Sequence, residues 1–249
     1  MTFYEIGDKG NPAVLLIHGM GCNSERSFSK PAKALSKKYR MIMVNLDGYD
    51  GKGTTFTTIS DQAKKIAAFL HEQYEGKLYA CVGMSMGGFI AMDLVCRYEM
   101  NIEHLVLDSG YVPPMPFAAI FSKLTADGFM QLLRRYPSLF TVHAMEYLMA
   151  YVFRKEQLYP DASWRTIYNS EYSCMTWQIP DNLEILNRPS TIFLHGGKEK
   201  FIKRGARVLK KRLPEMRVFY TGDYGHGELM FTDPGKYTKV IARAIALAV

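Results

Sequence analysis

Ser85 stands between two glycines at second-neighbour spacing, in the run Gly83-Met84-Ser85-Met86-Gly87. The apolar stretch Leu78-Tyr79-Ala80-Cys81-Val82 precedes it, and a helical pattern from Met86 to Tyr98 follows. A serine at an abrupt strand-to-helix turn is a nucleophile elbow, with its hydroxyl held above the sheet edge at the positive end of the helix. A side chain at position 83 or 87 would collide with the strand or helix alongside, so both places call for glycine. The chemistry of such a serine is attack on an acyl carbonyl. That reaction needs a base for the serine proton and fixed donors for the oxyanion.

Candidates for both needs lie elsewhere in the chain. Val14-Leu15-Leu16-Ile17 is a buried-strand run ending in His18-Gly19-Met20-Gly21. The backbone N–H groups of Met20 and Met86 are the expected oxyanion donors; losing one such donor typically costs about 10²–10³ in turnover. Of the six histidines, His226 sits in a glycine-flanked loop after the strand Val218-Phe219-Tyr220, where neutral imidazole can take the serine proton and return it. His18 and His195 each close an apolar strand before glycine and are expected to border the site and hold loops. His71 falls on the polar side of a helix, His104 begins a strand and His143 belongs to the middle segment.

A carboxylate must orient the histidine and stabilise its charged form. Glu199 follows the strand Thr191-Ile192-Phe193-Leu194 and is the favoured acid. Asp108, closing the strand Leu105-Val106-Leu107, is the alternative. Asp223 lies three residues from His226, a spacing that suits local loop capping.

In this order and on these elements, the residues resemble the α/β-hydrolase family over 12–110 and 189–249. The resemblance implies an α/β fold, with a mostly parallel central sheet and helices on both faces. Family members with epoxide-hydrolase or haloalkane-dehalogenase activity carry aspartate at the elbow, so Ser85 points away from them. Two places depart from the family pattern. The loop Asn45-Leu46-Asp47-Gly48-Tyr49-Asp50-Gly51 has Asn45 for the usual Asp, Asp47 for a Pro, and an inserted Asp50. Glutamate at 199 replaces the commoner aspartate and is one methylene longer, which keeps Asp108 open.

Outside the middle of the chain, elements alternate. Strands are expected at 13–18, 40–45, 78–83, 103–108, 190–195 and 216–221, and helices at 26–38, 59–75, 86–98, 202–212 and 235–248. Near-continuous apolar strands alternating with helices imply a parallel sheet covered on both faces. Phe3 to Ile6 adds an antiparallel edge strand. The core is expected to comprise 1–110 and 186–249. Residues 111–185 break the rhythm with helical patterns at 117–135, 138–153 and 161–170, bounded by Pro113-Pro114-Met115-Pro116 and Ile179-Pro180. This insertion, rich in Met and aromatic residues, is expected to form a helical cap whose own core takes most of them and whose remaining apolar surface faces the pocket.

At 249 residues, 48% hydrophobic and 22% charged, the chain has the composition of one soluble globular domain. Its start, Met1-Thr2-Phe3-Tyr4-Glu5, lacks signal-peptide character, and no run reaches the roughly 18 apolar residues of a membrane helix. Cys22, Cys81, Cys96 and Cys174 show no metal-ligand or disulfide spacing. A reduced, cytoplasmic setting is expected, with Cys22 packed beside the oxyanion loop. The net charge of +7 gathers in Lys203, Arg204, Arg207, Lys210, Lys211 and Arg212, which reads as a solvated helix face without the interleaved aromatics of a nucleic-acid binder.

The expected function is a serine hydrolase cleaving a carboxylic ester or related acyl bond through an acyl-enzyme. No metal or organic cofactor, nucleic acid or membrane partner is expected; the substrate is a small, partly apolar acyl compound. Alternatives on the same residues are a thioesterase, an acyltransferase, a carbon–carbon bond hydrolase, or a slow-turnover, receptor-like binding protein. Oligomeric state is not encoded legibly.

Overall fold

The computed structural model of the chain describes residues 1–133, 159–187 and 189–246. Within them a seven-stranded sheet forms from β1 (Thr2–Ile6), β2 (Ala13–Ile17), β3 (Arg40–Asn45), β4 (Lys77–Met84), β5 (Asn101–Asp108), β6 (Ser190–His195) and β7 (Arg217–Tyr220). Their spatial order is β1-β3-β2-β4-β5-β6-β7, and β1 alone runs antiparallel, pairing Thr2 with Asn45. The other neighbours are parallel.

Each interior strand is buried on both faces, which is why its sequence reads as a continuous apolar run. In β2, Leu15 and Ile17 face one layer while Val14 and Leu16 face the other. The first layer contains α2 (Ile59–Tyr74), α3 (Met86–Arg97) and α6 (Lys200–Arg212). The second contains α1 (Ser24–Leu35), the short α7 (Glu228–Thr232) and the closing α8 (Pro234–Ala246). Between β5 and β6 lie α4 (Ala118–Leu133) and α5 (Trp164–Thr176), then a 3₁₀ turn at Leu183–Asn187. The helical pattern at 138–153, with His143, lies outside the described residues.

Local chemistry sets the helix ends. The side chain of Asn23 accepts from the Arg26 N–H at 3.1 Å and starts α1 two residues before its expected position. Thr58 caps α2 in the same way, through the Asp61 N–H at 3.1 Å. The basic run behaves as an amphipathic face: Ile202, Gly205, Ala206 and Leu209 of α6 are buried, while Arg204, Arg207, Lys210, Lys211 and Arg212 are exposed. Among the described residues, no helix is long and apolar enough to cross a membrane.

Strand register determines where a site can form. Ile17 lies beside Gly83, Gly83 beside Leu107, Leu107 beside Phe193 and Phe193 beside Val218. The loops leaving β2, β4, β5, β6 and β7 therefore emerge level with one another at the carboxyl edge. β3 and β4 flank β2 on opposite sides, so chain order reverses at β2/β4, and in open α/β sheets the crevice outside such a reversal is where ligands bind.

Candidate active site

The elbow is strained as its sequence requires. Ser85 has φ 52° and ψ −118°, a region costing a non-glycine residue roughly 1–3 kcal/mol. A Cβ at Gly83 would come within 2.3 Å of the Gly87 carbonyl oxygen, and one at Gly87 within 2.2 Å of the Ile17 carbonyl oxygen. No side chain fits at either place. The Ser85 N–H donates to the Asp108 carbonyl at 2.8 Å, fastening the turn to the next strand.

His226 reaches Ser85 from the loop after β7. Its Nε2 lies 2.7 Å from Ser85 Oγ and its Nδ1 lies 2.7 Å from Glu199 Oε1. Glu199 is buried, and its other oxygen accepts from the Gly196 N–H at 2.5 Å and from Ser109 Oγ at 3.0 Å. Burial alone would raise this carboxyl, but the bonds from His226, Gly196 and Ser109 outweigh it and hold Glu199 below the usual glutamate range. An ionised Glu199 only accepts, so Nδ1 carries the imidazole proton and the Nε2 lone pair faces the serine hydroxyl. Main-chain bonds hold the acid and histidine loops together, from the Gly197 N–H to the Gly222 carbonyl at 2.8 Å and from the Lys198 N–H to the Tyr224 carbonyl at 3.1 Å.

Asp108 is placed differently. It does not bond His226; its Oδ2 accepts from the Tyr237 hydroxyl at 2.8 Å and its Oδ1 from Ser109 Oγ at 3.4 Å. Burial pushes it up to about 6, reinforced by the nearby Glu199 carboxylate. Of the two acids weighed from sequence, the structure brings Glu199 to the histidine and leaves Asp108 behind it.

The Gly19–Gly21 loop passes directly over the elbow, since a Cβ on Gly19 would lie 3.1 Å from Ser85 Cβ. Met20 and Met86 thus lie at the same sheet edge as Ser85. His18 fixes this loop from beneath. Its Nδ1 donates to the Gly19 carbonyl at 2.8 Å, and its Nε2 accepts from the Leu46 N–H at 3.2 Å. A proton on Nε2 would face another proton, and the ring is fully buried; burial brings His18 down to about 4.

The sign of the resulting pH dependence follows from linkage. A histidine depressed in the fold stabilises fully above its unfolded value of about 6.5 and loses that contribution as pH falls towards 4, on the order of 3 kcal/mol. Urea unfolding of wild type and His18→Gln between pH 7 and 4.5 should show a steeper loss of stability in the wild type. Parallel pH profiles would refute this role.

The remaining sequence candidates fall as follows. His195 Nδ1 lies 3.0 Å from the Gly196 carbonyl, holding the start of the acid loop. His71 is exposed, and His104 is buried within β5 against Tyr79 rather than at its start. Burial pushes the Cys22 thiol up to about 11, and its Sγ lies 3.0 Å from Ser27 Oγ, so it packs as a neutral thiol. Asn45 caps the adjacent helix: its Oδ1 accepts from the Ser24 N–H at 2.8 Å and Ser24 Oγ at 2.6 Å. Ser109 and Tyr237 are site neighbours that sequence reasoning missed. Ser109 alone carried a signal, as the residue after β5 in register with the elbow.

A family model described as alpha/beta hydrolase fold matches residues 12–231. The chain belongs to the α/β-hydrolase family. Solved structures resemble this α/β-hydrolase over nearly its full length. An alpha/beta hydrolase family protein from Desulfitobacterium hafniense superposes with TM-score 0.78 at 20% identity, covering 97% of this chain and 99% of that one. An esterase from Exiguobacterium antarcticum gives 0.76 at 18% identity over 98% and 94%. A carboxylesterase from Nitrososphaera gargenis gives 0.75 at 17% identity over 99% and 94%. No curated protein matches the sequence significantly.

Proposed function

We propose that this α/β-hydrolase is a serine hydrolase of carboxylic esters or closely related acyl bonds, working through an acyl-enzyme. The observation that carries the proposal is the continuous line from Ser85 Oγ to His226 Nε2 at 2.7 Å and from His226 Nδ1 to Glu199 Oε1 at 2.7 Å. Ser85 Oγ attacks the acyl carbon while His226 Nε2 takes its proton. The oxyanion sits against the N–H groups of Met20 and Met86, donors fixed before reaction and needing no reorganisation. Glu199 stabilises the imidazolium, which then protonates the leaving alkoxide. Water repeats the cycle to release the acid and free Ser85. This chemistry requires no metal or organic cofactor.

Residues 1–110 and 186–249 act as the core in this reading, and 111–185 as a cap. Contact between Ser170 Oγ of α5 and the Tyr49 hydroxyl, at 3.0 Å, supports it, because Tyr49 also meets His18 edge-on beneath the oxyanion loop. Esterases among the structural neighbours favour ester chemistry over the other reactions open to such a triad.

A series of 4-nitrophenyl esters from acetate to decanoate tests the proposal. Saturable turnover with a chain-length optimum is expected. Failure to cleave any ester, with stoichiometric ligand binding instead, would overturn it in favour of a binding protein.

A further inference from the structure

Among the described residues, four other than glycine take a positive φ: Glu75, Ser85, Ser109 and Phe117. Glu75 is the C-cap of α2, and Phe117 lies where the chain enters α4. Ser85 is the elbow. Ser109, at φ 53°, is neither a cap nor a turn into a helix; it follows β5 and leads into a loop. Glycine would adopt this backbone without strain. Where strain persists at a place glycine would relieve, the side chain is what is kept. Here that side chain is a hydroxyl.

Ser109 is 4% exposed, and its one hydroxyl proton has two carboxylates within reach. Glu199 Oε2 lies 3.0 Å from Ser109 Oγ, and Asp108 Oδ1 lies 3.4 Å away. The shorter bond commits the proton to Glu199. Oε2 has one other donor, the Gly196 N–H at 2.5 Å, which belongs to the acid's own loop and moves with it. Ser109 alone holds this oxygen from another strand. Its backbone is fixed on both sides of the site. The Asp108 carbonyl accepts from the Ser85 N–H at 2.8 Å, and the Ser109 N–H donates to the Leu194 carbonyl at 2.9 Å in the strand leading to Glu199. That carbonyl and that N–H are the two halves of one planar peptide. A single rigid unit thus joins the elbow to the acid strand, and Ser109 Oγ is carried on it.

We propose that Ser109 is a positioning residue of this hydrolase, whose hydroxyl fixes the rotation of the Glu199 carboxylate so that Oε1 faces His226 Nδ1. The inference rests on the serine-hydrolase reading. Ser109 takes no part in proton transfer. Glutamate has one more rotatable bond than the aspartate common at this place, and a donor from β5 removes that freedom. Deleting the hydroxyl lets the carboxylate turn away from the imidazole for part of the time. It also leaves more negative charge on Glu199 for the imidazole, which then keeps its proton to higher pH.

Ser109→Gly and Ser109→Ala test this as a pair. Both delete the hydroxyl, but only glycine relieves the backbone. Ser109→Gly should therefore melt no lower than Ser109→Ala. If the hydroxyl is what matters, the two should be equally impaired on a 4-nitrophenyl ester, with kcat down about tenfold and KM within about twofold of wild type. The acidic limb of kcat/KM should move up by about half a pH unit in both. A kcat within about twofold of wild type in either variant would overturn the proposal. So would a loss of activity in Ser109→Ala that Ser109→Gly restores, since relief of strain alone would then explain it.

The far-downfield proton resonance of His226 Nδ1–H, identified by its absence in His226→Gln, gives a readout that needs no ester cleavage. It should shift in both Ser109 variants. A shifted resonance in a protein whose wild type cleaves no ester supports the positioning role and removes the hydrolase reading. Ester cleavage at the wild-type rate with an unmoved resonance does the reverse, leaving the hydrolase reading intact and removing the role of Ser109 alone.

Discussion

Replacing Ser85 with alanine should lower kcat on a good ester by about 10⁶-fold, the scale at which removal of a nucleophile disables a triad as a unit. The serine is irreplaceable for geometric reasons. Its φ of 52° aims Oγ out of the turn between β4 and α3, where His226 Nε2 meets it at 2.7 Å. The variant should stay folded, because the turn is fixed by Gly83, Gly87 and the Ser85 N–H bond to Asp108, none of which uses the hydroxyl. A fluorophosphonate probe followed by peptide mass spectrometry provides an independent check. Modification is expected at Ser85 and should vanish in the variant. Labelling at another serine, or an active preparation that resists labelling, would sink the assignment.

Glu199→Gln should cost about 10⁴ in kcat, the loss seen when a triad acid becomes an amide. Asp108→Asn should cost less than about tenfold, the small change expected of a group outside the reacting line. The difference follows from donor counting. The two Glu199 oxygens accept from His226, Gly196 and Ser109. An amide has a single acceptor oxygen, so at least one of those donors would face an NH₂ group. If that donor is Nδ1–H, the imidazole turns to the wrong tautomer and presents a proton, not a lone pair, to Ser85. Asp108 accepts from Tyr237 and, more distantly, Ser109, and an asparagine oxygen can keep the tyrosine bond. Both variants should be assayed on one ester, with circular dichroism showing each is folded. Should Asp108→Asn be the crippled enzyme and Glu199→Gln nearly wild type, the acid role passes to Asp108.

Sequence by itself determined the parts whose physics is local. Apolar runs such as Val14–Ile17 and Thr191–Leu194 had to be strands buried on both faces, and the periods between them had to be helices. This reading placed the core elements within about three residues of their observed ends, an offset expected where caps such as Asn23 set the boundary. The elbow was equally local, because Gly83 and Gly87 answer to contacts within one turn of Ser85. The order of serine, acid and histidine was legible too, since each follows an apolar strand.

Tertiary structure alone decided whatever depended on distance across the sheet. Asp108 ends β5 and Glu199 stands in the loop after the neighbouring β6, and sequence position could not tell which would reach His226. Main-chain bonds between the 196–198 and 222–224 loops settle the geometry, drawing Glu199 to Nδ1 while Tyr237 of α8 occupies Asp108. Glu171 shows the limit most clearly. In sequence it is one charge on a helical pattern, and only the rotation of α5 against Tyr49 and Phe56 buries it. A helix's own period says which residues share a face; what that face meets depends on chain more than a hundred residues away.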